Sequence, residues 1–115
     1  MQKNIYGKRS EIIASDYLKK KGYKILELNY KNDIGEIDII AKDKDCIVFV
    51  EVKARTSQKF GHPFEAIDEE KQRKIHAAAS IYLMKNKKYG TKCRFDAISI
   101  LGLENPEITH IIDAF

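Results

Sequence analysis

GEIDIIAKDKDCIVFVEVKAR, residues 35–55, decides how this 115-residue chain is read. Two apolar runs flank the polar DKD of residues 43–45, and each has the length of a strand. A strand turns successive side chains to opposite faces. In the second run Val48, Val50 and Val52 therefore share one face, while Ile47, Phe49, Glu51 and Lys53 share the other. Glu51 and Lys53 stand side by side at the end of a strand hydrophobic enough to be central in a sheet. A charge buried there is costly unless it is paired or coordinates a metal. In the first run Asp38 interrupts Ile37, Ile39 and Ile40, and pairing of the two strands through the DKD turn sets it opposite Glu51.

Two carboxylates that close repel each other, and a divalent cation removes the repulsion. A small set of hard oxygen ligands suits Mg²⁺, or Mn²⁺ in its place, better than a calcium cage. Lys53 beside such a cation can orient a water or lower its pKa, and can stabilise charge on a phosphate. Taken alone, Glu51 and Lys53 read more simply as an ion pair at a wet strand end; Asp38 is what shifts the balance. Glu11 is a further candidate. On a helical wheel it shares its face with Ala14 and Leu18, although a solvated glutamate at the flank of that stripe fits the spacing equally well.

Working outward, residues 4–21 read as a helix, with Ile13 and Tyr17, and Ala14 and Leu18, four apart on neighbouring stripes. Gly22 follows a lysine run, as expected at a helix end. Residues 23–30, 36–41 and 46–53 read as three strands with short connections, hence an antiparallel meander. The polar ARTSQKFGHP, residues 54–63, reads as a loop. A second helix spans residues 68–86, with Asp68 placed as its N-cap. Its apolar stripe is Ile75, Ala78, Ala79, Tyr82 and Leu83. Residues 93–101 form a fourth strand, parallel to the third because a helix carries the crossover, and residues 108–112 a last extended segment. The expectation is a single α/β domain over residues 1–115, with αβββαβ order and a mixed central sheet flanked by helices.

The loop after Lys53 carries Arg55, Thr56, Ser57 and Lys59, all able to meet phosphate oxygens. Lys71 lies in the first turn of the second helix, where a cation opposes the helix dipole. That misfit points to a duty near a phosphate, with a solvated lysine as the alternative. His62, His76 and His110 have no metal-ligand spacing and are read as non-catalytic, and Cys46 and Cys93 as ordinary thiols of a reducing cytosol. The formal charge of +4 is compatible with a polyanionic partner but is a weak signal by itself. No apolar run approaches the ~20 residues of a membrane span, and the N-terminus lacks the apolar stretch of a signal peptide. A cytoplasmic protein with no membrane partner is expected.

Asp38, followed thirteen positions later by Glu51-Val52-Lys53, resembles the D…(D/E)-x-K signature of the restriction-endonuclease-like PD-(D/E)XK superfamily. The wider pattern is similar to the YraN-like family of small bacterial proteins. It comprises Gly7 and Glu11; residues 35–38; residues 49–55; Phe60-Gly61; Lys71; and Arg94-Phe95-Asp96. The resemblance implies that Asp38 and Glu51 are metal ligands, helped by the backbone carbonyl of Val52. It makes Lys53 the catalytic lysine and Glu11 an accessory acid, as in the archaeal Holliday-junction resolvases of that superfamily. Ile37 replaces the proline often found before the aspartate, which is not a ligand. The function so implied is a Mg²⁺-dependent endonuclease acting on DNA, with branched or single-stranded DNA as the expected forms and a homodimer favoured for a duplex or junction. The alternative is a non-catalytic module that binds nucleic acid or a DNA-processing protein partner.

Overall fold

The computed structural model describes residues 2–55, 67–88, 90–102 and 104–115, with side chains described from Gly7 onward. Helix α1 (Gln2–Lys20) is followed by strands β1 (Lys24–Lys31), β2 (Glu36–Asp43) and β3 (Cys46–Arg55). Helix α2 (Glu69–Lys85) then leads to β4 (Cys93–Leu101) and β5 (Glu107–Ile111). This is the expected αβββαβ order with a terminal strand. The strands lie side by side in chain order in one mixed sheet. Only the β3–β4 pair is parallel, because α2 carries the chain back to its starting edge.

Each helix covers one face of the sheet. Ala14 and Leu18 of α1 pack with Ile39, Ala41, Val48, Val50, Ile98 and Ile100 on one face. Ile75, Ala78, Ala79 and Tyr82 of α2 pack with Ile40, Ile47 and Phe49 on the other. The alternation expected along β3 is therefore the division between two cores. Ile37 belongs with the α2 side although Ile39 belongs with the α1 side, so strict alternation in β2 breaks at Asp38.

Local signals set the element ends. Gly22 has φ +93°, and the N–H groups of Gly22 and Tyr23 donate to the carbonyls of Lys19 and Leu18. Buried Tyr23 and Leu18 complete this Schellman end of α1. Asn32 closes the β1–β2 turn by accepting from the N–H groups of Ile34 and Gly35, and its amide donates to the Ala78 carbonyl of α2. Asp68 caps α2 by accepting from Lys71 N–H at 2.8 Å, as expected. Most element ends fall within one or two residues of the expected positions, and β3 runs two residues further. Ala54 and Arg55, expected in a loop, extend β3 because they pair with Ile100 and Leu101. Among the described residues, no helix is long and apolar enough to cross a membrane.

Candidate active site

The β2–β3 ladder runs from Asp43–Cys46 to Ile39–Val50. At the next position Asp38 Oδ2 accepts the Val52 N–H at 2.8 Å, a side chain serving where a strand carbonyl would otherwise do so. The α1 and α2 N-terminal halves flank this end of the sheet. Between them opens a cleft of about 640 Å³ lined by Ser10, Glu11, Asp38, Glu51, Lys53 and Lys71, among others. That volume lies within the range of small-molecule sites.

Glu51 stands beside Asp38 in the cleft, and two carboxyls this near favour a proton on Asp38. Burial, then the neighbouring Glu51, push Asp38 up to about 8, and the Val52 N–H opposes this only in part. Glu51 is almost fully buried, 5% exposed, and its Oε2 forms an ion pair with Lys71 Nζ. Burial works against the charge of Lys71, but Glu51 and then Asp38 outweigh it and hold the ammonium above its ordinary value. The capped first turn of α2 explains the reach: Asp68 fixes the backbone of the residue whose side chain crosses to β3.

Lys53 lines the same cleft and, among the described residues, has no ion-pair partner. Glu11 reaches the cleft from α1, so its inward lean is real. Burial pushes its carboxyl up, a hydrogen bond from Asn29 opposes the shift, and Glu36 and Glu51 add to it. The structure thus brings together Glu11, Asp38, Glu51, Val52, Lys53 and Lys71. Arg55 ends β3 and is not part of the cleft wall; its carbonyl accepts from Gly102 N–H at 2.9 Å. Thr56, Ser57 and Lys59 lie outside the described residues.

Among the described residues, no group of three or more His, Cys, Asp or Glu side chains stands together as a metal site. The oxygens able to hold a cation are those of Asp38 and Glu51, with the Val52 carbonyl. This donor set fits a hard divalent ion that keeps water or phosphate oxygens on its open positions. A half-buried and a buried carboxyl side by side, with a lysine drawn in against one of them, are a site short of positive charge.

A second polar cluster escaped the sequence reading. Asp96, fully buried, receives Arg94 Nε at 3.0 Å, His110 Nε2 at 2.8 Å and Asp113 N–H at 3.0 Å. Burial works against its ionisation, but His110, Arg94 and the Asp113 N–H outweigh it and hold Asp96 below the ordinary carboxylate range. Arg94 also donates to Asp43 at 3.1 Å and to the Tyr23 hydroxyl. The available signal was the one that exposed Asp38: an aspartate inside an apolar strand. His110 thus joins this cluster, with Nε2 on Asp96 and Nδ1 3.3 Å from the Tyr17 hydroxyl.

The model of the uncharacterised protein family UPF0102 matches residues 10–100. A UPF0102 protein of Clostridioides difficile (strain 630) is 50% identical, with 95% of each chain covered. One from Caldanaerobacter subterraneus subsp. tengcongensis is 48% identical over 100% of this chain and 98% of its own. One from Persephonella marina is 48% identical over 96% and 93%. The chain belongs to the UPF0102 family.

Proposed function

We propose that this UPF0102 chain is a Mg²⁺- or Mn²⁺-dependent endonuclease that hydrolyses phosphodiester bonds of DNA. The observation that carries the reading is the pairing of half-buried Asp38 with buried Glu51 in an open cleft that also holds Lys53. A bound divalent cation would supply the positive charge this pair lacks, and with it Lewis-acid assistance to hydrolysis. Asp38 and Glu51, with the Val52 carbonyl, would hold that cation. Lys53 orients the attacking water and offsets charge gathering on the phosphate. The water oxygen forms a bond to phosphorus, the bond from phosphorus to the leaving sugar oxygen breaks, and that oxygen takes up a proton. Glu11, whose burial favours the protonated form, is an acid within the same cleft. Lys71 neutralises Glu51 in the absence of a cation, and its ammonium would be free to meet a phosphate oxygen if a cation took over Glu51. One cleft cuts one strand, so cleavage of a duplex or junction calls for a homodimer.

The ion pair between Lys71 and Glu51 favours one other reading, since it already neutralises a carboxylate without any metal. On that reading the chain binds nucleic acid, or a DNA-processing partner, without cutting. The deciding experiment incubates supercoiled, linear, single-stranded and branched DNA with the protein and Mg²⁺ or Mn²⁺. Nicking by the wild type, lost in Lys53→Ala and Asp38→Asn, supports the nuclease. Equal inertness of all three, together with no Mn²⁺ heat in calorimetry, establishes the binding module instead.

A further inference from the structure

The topology gathers lysines at the end of the sheet opposite the cleft. Residues 19–21 close α1, and Lys24 opens β1 directly after them. Lys24 pairs with Lys42 at the end of β2, and Lys44 follows in the β2–β3 turn. Lys85, in the last turn of α2, leads through Lys87 and Lys88 to Lys92, whose carbonyl accepts from Ile47 N–H at the start of β3. All ten are exposed except Lys88, which is half-buried.

Two aspartates share this end, and both are engaged. Asp43 accepts from Arg94, and Asp45 lies 3.6 Å from Lys92. Of the twenty-one lysines and arginines in the chain, these ten lie in segments that hold two acids, Asp43 and Asp45, and Arg94 beside them is engaged by Asp43 and Asp96. The other eleven share the rest of the chain with fifteen acids. The overall charge of +4 hides a strongly basic end and a net acidic remainder, which includes Glu11, Glu36, Asp38, Glu51 and the first turn of α2.

We infer that this lysine end is a binding surface for the phosphate backbone of duplex DNA, separate from the cleft. Lysines are point charges that suit phosphate oxygens without reading base edges. They flank the sheet from both helix layers and its rim, so they face outward over a broad front rather than along a flexible tail. Arg94 ties the three source segments together through Tyr23, Asp43 and its own strand, so the spacing is held before binding. A bilayer surface is the less suited partner. Interfacial binding uses apolar side chains beside the charges, and of the exposed large hydrophobic side chains only Met84 belongs to these segments. The inference holds whether or not the cleft cuts DNA.

The test is anisotropy of a fluorescein-labelled 30-base-pair duplex in EDTA, titrated with protein from 50 to 200 mM salt. The wild type is compared with Lys20→Glu/Lys42→Glu/Lys85→Glu and with the milder triple Gln variant, each checked by circular dichroism. If the three lysines each meet a phosphate, the slope of log K against log salt flattens by roughly 3, at about 0.9 per contact. Binding at 100 mM salt then falls roughly tenfold or more in the Glu variant, less in the Gln variant. Unchanged binding in both triple variants overturns the inference. So does a loss confined to Lys53→Ala or Lys71→Met, which would put the DNA at the cleft. Wild-type binding to phosphatidylserine vesicles with none to DNA also overturns it, in favour of a lipid surface.

Discussion

Replacing Asp38 by asparagine changes one atom and preserves both local contacts. The amide oxygen can still accept from Val52 N–H, and the amide nitrogen can donate to Glu51. What disappears is the cost of ionising a buried carboxyl beside another. The native group is raised to about 8 from 3.8, so the folded chain holds a proton that the unfolded chain releases above pH 4. Stability of the wild type must then fall as pH rises from about 4 to about 8, and level off above. At ~1.4 kcal/mol per unit the ceiling is about 5–6 kcal/mol. Water entering an open cleft lowers this to about 2–3 kcal/mol at pH 8.5. In EDTA, Asp38→Asn should therefore melt higher than wild type by roughly 10 °C at pH 8.5, with the gap closing near pH 4. Urea denaturation at the same two pH values supplies the free energies. A variant no more stable than wild type at pH 8.5, or a gap that ignores pH, refutes the assignment of strain to this pair. Added Mn²⁺ should reverse the order, stabilising only the chain that keeps both carboxylates.

Three further outcomes follow from the same contacts. Lys71→Met leaves Glu51 buried and unpaired, so the metal-free fold should lose about 1–3 kcal/mol in urea, while Mn²⁺ binds more tightly by calorimetry because no ammonium competes for Glu51; weaker Mn²⁺ binding would contradict this. Asp96→Ala strands Arg94 and should cost about 3–5 kcal/mol. Because Asp96 is held below 3.8 in the fold, its contribution is present above pH 4 and lost as pH falls below that, so Asp96→Asn should flatten the acid limb of a urea-midpoint profile. Phe49→Ala, emptying a fully buried site between Tyr82 and Phe95, should cost about 3–5 kcal/mol and leave DNA binding by the folded protein unchanged.

The elements were legible because their signals are local. Strand parity in residues 46–53 reappears as two cores, the Asp68 cap is present, and the glycine after the lysine run ends α1. Glu11, Asp38, Glu51 and Lys53 meet in one cleft because parity and helical phase carry direction as well as type. What could not be read depends on partners far apart in the chain. Lys71 showed only a misfit with its own helix; that Glu51 answers it requires knowing how α2 lies on the sheet. Asp96 carried the same mark as Asp38, yet its ligands come from β5 and the chain beyond it. The lysine end is scattered over three segments and becomes a surface only after the strands align.

Arg94 bears on the order in which that alignment happens. Its hydrogen bonds to Tyr23 and Asp43 join residues 71 and 51 positions apart. They cannot form until the crossover through α2 has laid β4 beside β3, so they belong to the last steps of folding. Loss of Arg94 should then leave the refolding arm of a chevron nearly unmoved and speed the unfolding arm. The guanidinium that ties Tyr23 and Asp43 to β4 also holds the lysine-bearing segments at their spacing, so its loss should shorten the lifetime of the native state and loosen its basic end together.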